Sequence, residues 1–409
     1  MTTGYGSIPL SSLQAFTEAA RVSATNLNPG YTTLAAAVTG TGGTSISVTS
    51  AAGFPGSGPF YVMIDAEQMQ VTAGFGTTSW TVSRGANGTT AATHASGALV
   101  FQSATSLIPI EPIMFEPMVD RYMPALMRNS FVAFYESMIV SERSELKGLK
   151  MPQTFEVLPN LLGFAVKGGV VPSQSPTGVY TWDFSPTLAA DDISGLGAEM
   201  GSDTAFYHIA ALYCDQLVLE FVRGTDAAQA TVDFIGQMAF QMGARTPGLT
   251  RLDLNMINPA YTSTFIDSAT IGTTPFNDMS SAKATLKNGI QQLYFLNGKL
   301  YSTAIARPTR ALDVELVQWF DDSTELSNAM NAVGNGVERK LRLAATGTQI
   351  ASTGVNRSLT LDAYLYWRTF PFKAENETWR VTYTGTTVYD DTAGRDWKMT
   401  LVNDLAAAA

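Results

Sequence analysis

Between positions 311 and 345 two periodicities follow one another. Leu312, Val314 and Leu316 alternate with Asp313 and Glu315, the period-two pattern of a strand with one buried face. Asp321, Asp322 and Ser323 come next, with side-chain oxygens suited to the unpartnered N–H groups of a helix start; Asp322 and Ser323 are the expected caps. Leu326, Met330 and Val333 fall at i, i+4 and i+7, one face of a helix. Gly334 and Gly336 suit its end, because glycine enters the left-handed region without steric cost. Alternation resumes over 338–343. The stretch predicts strand, helix, strand, with Leu326, Met330 and Val333 packing the helix across a sheet.

The same reading extends along the chain. Near the N-terminus Ser11 or Ser12 caps an expected short helix with Leu13, Phe16 and Ala20 on one face, and NLNPGY then reads as a turn or extended arm. Over 33–104, short alternating runs at 45–48, 61–64, 68–71, 79–82 and 98–101 lie between Gly, Pro and Asn turns, the sharpest at Asn87–Gly88. That rhythm predicts a small all-β module inserted into a larger domain. Pro109, Pro112, Pro117 and Pro124 oppose a long helix before Tyr122. SFVAFYESMIVSE predicts a strand, and the charge-rich SERSELKGLKM reads as a solvated connection. Leu158, Leu161 and Leu162 give a helix ended by Gly168–Gly169. AFYHIAALYCDQLVLEFVRG and AQATVDFIGQMAFQMG predict strands, whereas the polar tract 258–278 reads as a long loop making contacts between subunits. Further strands are expected at 180–184, 291–301, 311–319, 338–345, 358–367, 379–383 and 397–402, with a tight turn at LNGK. The expected fold is mainly β (α+β), a β-sandwich or barrel with a flanking short helix and a small inserted all-β domain. The divisions are an N-terminal arm and short helix at 1–32, the module at 33–104, the sandwich at 105–405 and a disordered tail at 406–409.

Composition narrows the function. A chain of 409 residues suggests two or three folding units. Charged residues make up 15%, against about 25% in an average soluble domain. A surface so poor in charge suits a protein largely covered by copies of itself, and equally an extracellular β-protein. The net charge of −10 argues against an outward surface for binding nucleic acid, which needs Lys and Arg against phosphate. Cys214 is the one cysteine, so no intrachain disulfide and no multi-cysteine metal site exist. The sequence has no basic, apolar signal segment at its start and no run near the roughly 18 apolar residues of a membrane span. It is expected to be made in the cytoplasm without a membrane anchor.

Chemistry is sparse. His94 and His208 show no partner arrangement, and no zinc site is expected. Gly40–Gly43 lacks the Gly-Lys-Ser/Thr ending of a phosphate loop and reads as a turn. Neither Gly-x-Ser-x-Gly nor His-Glu-x-x-His occurs. Asp191–Asp192, Asp321–Asp322 and Asp390–Asp391 are adjacent pairs, which rarely aim at one target. Trp367, Trp379 and Trp397 could stack on sugars, but alternating strand positions read as core or interface. No catalytic residue, cofactor or metal is expected.

The order of features resembles the major tail tube proteins of long-tailed, siphovirus-like bacteriophages. The resemblance covers 1–32 and 105–405. It rests on the N-terminal arm, LLGFAVKGG with the 180–184 strand, the β-pair 215–222 and 231–240, the strand–helix–strand unit, and the closing LTLDAYLYW, ETWRVTYTG and RDWKMTLVND. The inserted block, with GFPGSGPF, DAEQMQVT and SWTVSRGANGTTAATHASGA, looks like small β-modules of phage structural proteins. The resemblance implies a homohexameric ring, rings stacked into a hollow tube, and viral DNA passing through without specific binding. It implies a tape measure protein and tail terminator or distal tail proteins as partners. The protein would reside in the virion tail after assembly in the host cytoplasm, with the module facing outward. Two other classes stay open: another tail component (baseplate, fibre or glycan-binding protein) and a cell-wall-degrading enzyme.

Overall fold

A computed structural model describes residues 12–17, 30–104, 106–111, 115–123, 137–186, 193, 195–201, 206–224, 226–242, 244, 246–247, 249–251, 254–306, 310–319, 326, 338–375 and 378–407. The chain is mainly β, built from large antiparallel sheets. One run of neighbouring strands begins at Glu116–Tyr122 and passes through Met138–Pro152, Gln229–Gly236, Phe206–Val222 and Met279–Lys287. It continues through Ala311–Trp319 and Thr378–Thr387 to Phe372–Glu375. The end of Asn356–Thr369 joins Thr378–Thr387 and carries the chain into a second layer. That layer holds Thr262–Asp267, Arg339–Gln349, the rest of Asn356–Thr369, Trp397–Asn403 and Tyr180–Phe184.

Alternation explains why the layers close on each other. Leu312, Val314 and Leu316 are buried, as are Leu341, Leu343 and Ala345. Leu219 and Phe221 of the first layer meet Leu343, Ala345, Leu359, Leu361 and Met399 of the second around one interior space. Each Leu, Phe or Met among them contributes about 1.5–3 kcal/mol on burial. Helix Leu158–Ala165 flanks the sandwich and buries Leu158, Leu161, Leu162 and Phe164. The Thr154 hydroxyl accepts the Val157 N–H at 3.1 Å just before it.

Four expectations are corrected. Ser12–Thr17 is a strand, not a helix, hydrogen-bonded on one side to Ser106–Pro109 and on the other to Leu196–Gly201. A ladder on both edges satisfies more backbone groups than one short helical turn. The charge-rich stretch after Ser141 is no loop; it lies within Met138–Pro152, with Leu146, Leu149 and Met151 buried between its charges. The 258–278 tract contains strand Thr262–Asp267, and the Asp267 carboxylate closes the following turn on the N–H groups of Gly272, Thr273 and Thr274. The 291–301 strand is shorter, Gln291–Leu293, and returns through a loop to Ala304–Ala306. The expected helix residues Asp322, Ser323, Met330 and Val333 lie outside the described residues; Leu326 is helical and 8% exposed.

The Gly- and Thr-rich segment forms its own six-stranded sheet, ordered Tyr31–Thr33, Leu99–Gln102, Phe60–Ile64, Glu67–Ala73, Ser79–Ser83, Ser45–Ser47. Val62, Met69, Val71 and Val82 fill its core, and Trp80 sits edge-on to Phe54 and Phe60 at 5.0 and 5.5 Å between ring centroids.

Candidate assembly surface

Strand Glu116–Tyr122 pairs with the first half of Met138–Pro152 to form an arm. Val119, Tyr122, Met123, Met138 and Val140 are exposed on it, Met138 by 62%. Its register is held by polar pairs. Arg143 reaches Asp120 at 2.6 Å and Glu145 at 3.0 Å, and the Ser141 hydroxyl donates to Asp120 at 2.6 Å. The Ser141 hydroxyl, then Arg143, hold the Asp120 carboxyl below its usual range.

A second arm lies alongside. Gln291–Leu293 and Ala304–Ala306 pair at its foot, and its loop turns at Gly298, whose φ of 75° suits glycine. Tyr294, Phe295 and Leu300 are exposed, and Leu296 is fully so. The Glu142 N–H donates to the Leu300 carbonyl at 2.8 Å, which joins the arms. The foot is well anchored. The Gln292 amide donates to the Gly236 carbonyl at 2.8 Å, and the Gln237 amide to the Ser302 carbonyl at 2.7 Å. Ile290 and Ile305 pack with Ala211 and Tyr213. The second arm is therefore anchored at its foot, and the two joined arms carry exposed apolar side chains beyond it. Exposed apolar side chains gathered on two joined arms make them the candidate assembly surface.

The sheet edges differ in the same sense. Thr262–Asp267 is shielded by its own chain, because Ile266 N–H donates to Thr274 and Phe276 N–H to Thr264. Among the described residues no strand pairs with the outer edge of Glu116–Tyr122. An exposed edge strand bearing apolar side chains templates pairing with a further strand.

The residues singled out for chemistry fall elsewhere, and one reading is corrected. His94 does have partners: Nδ1 lies 2.7 Å from Asp65 and Nε2 2.9 Å from Glu67. Glu67 also accepts both arms of the Arg84 fork at 2.7 and 2.8 Å, plus the Gly85 and Ala92 N–H groups. Burial pushes the Glu67 pKa up, but Arg84, the Ala92 N–H and His94 outweigh it and hold the value at about 2. With that many donors on one buried carboxylate, the cluster pins the module's loops and offers no attacking group. His208 is wholly buried with its ring 4.5 Å from that of Phe101, and burial lowers its pKa to about 3. Burial pushes the Cys214 thiol well up, which leaves it inert. Asp390 accepts the Ala393 N–H at 2.6 Å and closes a turn. The Asp191–Asp192 and Asp321–Asp322 pairs lie outside the described residues. Trp367 and Trp397 are core, whereas Trp379 is 54% exposed beside Phe372, so the three form no platform.

No cluster of three or more His, Cys, Asp or Glu among the described residues could hold a metal. No helix among them is long and apolar enough to cross a membrane. The arms escaped the sequence reading because exposure cannot be told from burial in a short apolar run. The one signal was YFLNGKL, where apolar residues crowd an Asn–Gly turn. Compared with known protein families and with curated proteins, the chain matches none.

Proposed function

We propose that this chain is a self-assembling structural subunit, and that its copies form stacked hexameric rings building the tail tube of a long-tailed bacteriophage. The observation that carries the self-assembly reading is the joined pair of arms, with Val140, Met138, Phe295 and Leu296 held out to solvent on an ordered base. Burying such side chains between copies recovers the same 1.5–3 kcal/mol or so each that a core position yields.

Sheet geometry supports the ring. The main run of strands starts at Glu116–Tyr122 and ends at Phe372–Glu375. Copies placed head to tail along that direction extend one sheet, and a rotation that closes removes both free edges of that run. The low charge content agrees with extensive burial between copies. The net charge of −10 suits a conduit that DNA crosses without sticking.

Hexamer number, the tape measure and terminator partners, and residence in the virion rest on the sequence resemblance. Negative-stain microscopy of the purified protein tests the reading, since tubes or stacked rings should appear at concentrations where a monomeric enzyme stays dispersed.

A further inference from the structure

The six-stranded module does not hang on a loose linker. Met63 and Phe101 turn away from its core and pack with Met242 of the main body, with Phe206 and Phe240 at the rim. Ring centroids lie 4.5 Å apart for Tyr31 and Phe240, and 5.9 Å apart for Phe101 and Phe240. The chain's exit from the module is fixed as well. The Ala104 N–H donates to the Glu199 carboxylate at 3.2 Å, and the Thr246 hydroxyl donates to the same group at 2.6 Å. A detachable decoration would meet its host through a polar, mobile contact. This seam is aromatic and buried.

One further contact gives the seam a purpose. The Tyr31 hydroxyl donates to the Tyr301 hydroxyl at 3.3 Å. Tyr301 belongs to the second arm and follows Leu300, which receives the Glu142 N–H. The arm's own ladder has only three residue pairs, Gln291 with Ala306 to Leu293 with Ala304. A two-stranded ladder that short is not stable by itself, so the arm's pose depends on what it leans against.

We infer that the module is a buttress: it holds the second arm in the pose that contacts the next copy, and is a required part of the assembly surface. This rests on the reading of the arms as the contact between copies. Phe101 and Tyr31 of the module face Phe240 of the main body, and that seam is what lets the module brace the arm.

The test uses the full chain with two substitutions, Phe240→Ala, which opens the seam, and Tyr31→Phe, which removes only the hydroxyl. Amide hydrogen exchange is followed in unassembled protein, and tube growth is followed separately. Expected for Phe240→Ala is exchange about tenfold faster over 294–301, equivalent to about 1.4 kcal/mol. Exchange in Arg339–Gln349 should stay at the wild-type rate, and tube growth should slow. Tyr31→Phe should shift the same amides in the same direction by less. Unchanged exchange over 294–301 in both variants overturns the inference. So does a chain with residues 31–103 replaced by a Gly-Ser linker that grows tubes as fast as wild type. Failure of the wild-type protein to polymerise would count against the functional reading alone, because the exchange comparison needs no assembly.

Discussion

The amide of Glu142 donates to the carbonyl of Leu300 at 2.8 Å, and that bond makes one projection out of two arms far apart in sequence. Each arm alone is a short ribbon. Joined, they carry Val140 and Leu296 exposed over a base tied to the main sheet by Gln292 and Gln237. Charges placed on those two side chains should therefore separate folding from assembly. In the double variant Val140→Asp with Leu296→Asp, both side chains are exposed, so stability should stay within about 0.5 kcal/mol of wild type. Polymerisation should be lost. Thermal melting and sedimentation check the two halves, and a variant that still polymerises removes the arms from the contact.

The module's buried ion cluster should govern its own stability. Arg84→Ala leaves Glu67 charged, buried and short of its fork, which costs on the order of 3–5 kcal/mol. Amides of Phe60–Ile64 and Glu67–Ala73 should lose protection while those of Trp397–Asn403 keep theirs. The Glu67 pKa, about 2 when folded, lies below its ordinary 4.5. Its contribution is therefore full above pH 4.5 and fades as pH falls toward 2. Equal loss of protection in both bodies would contradict this.

His208 sets a second pH dependence at the seam. Its folded pKa of about 3 lies below the ordinary 6.5, so between those values the unfolded chain binds a proton that the folded chain refuses. Stability is full above pH 6.5 and falls by up to about 1.4 kcal/mol per pH unit below it. Glu338 works in the opposite sense: burial, then the Asp390 carboxylate, raise it to about 7, so its contribution is lost as pH rises from 4.5 through 7. The difference between wild type and His208→Leu isolates the histidine. Between pH 7 and 5 the wild type should lose about 2 kcal/mol more than the variant, read from urea midpoints. Parallel losses would show that His208 protonates freely in the fold.

Gly347 supplies a packing prediction. A Cβ there would overlap the Phe155 ring, itself fully buried, and lie 3.2 Å from Arg357 Cβ. Gly347→Ala should cost about 1–3 kcal/mol through overpacking. Gly40→Ala meets nothing within 4 Å and should be close to neutral. Chemical denaturation of the two variants makes the comparison.

Strands with one buried face were legible because alternation encodes the sandwich directly: Leu312, Val314 and Leu316 point inward as read. The helix of Leu158, Leu161 and Leu162 was legible for the same reason at its own period. Ser12–Thr17 was not, since its strand state comes from neighbours 90 or more residues away that no local window contains. His94 had no visible partner because Asp65 and Glu67 sit on the adjoining hairpin, at no motif spacing. The arms stayed hidden for a different reason. Their apolar residues look like core until the fold leaves them outside.

Whether copies join through those arms is the claim on which the rest depends. Negative-stain electron microscopy of purified wild type beside Val140→Asp with Leu296→Asp decides it. Rings or hollow tubes are expected for the wild type and dispersed single subunits for the variant. Dispersed monomers in both samples, at every concentration and ionic strength tried, would contradict it.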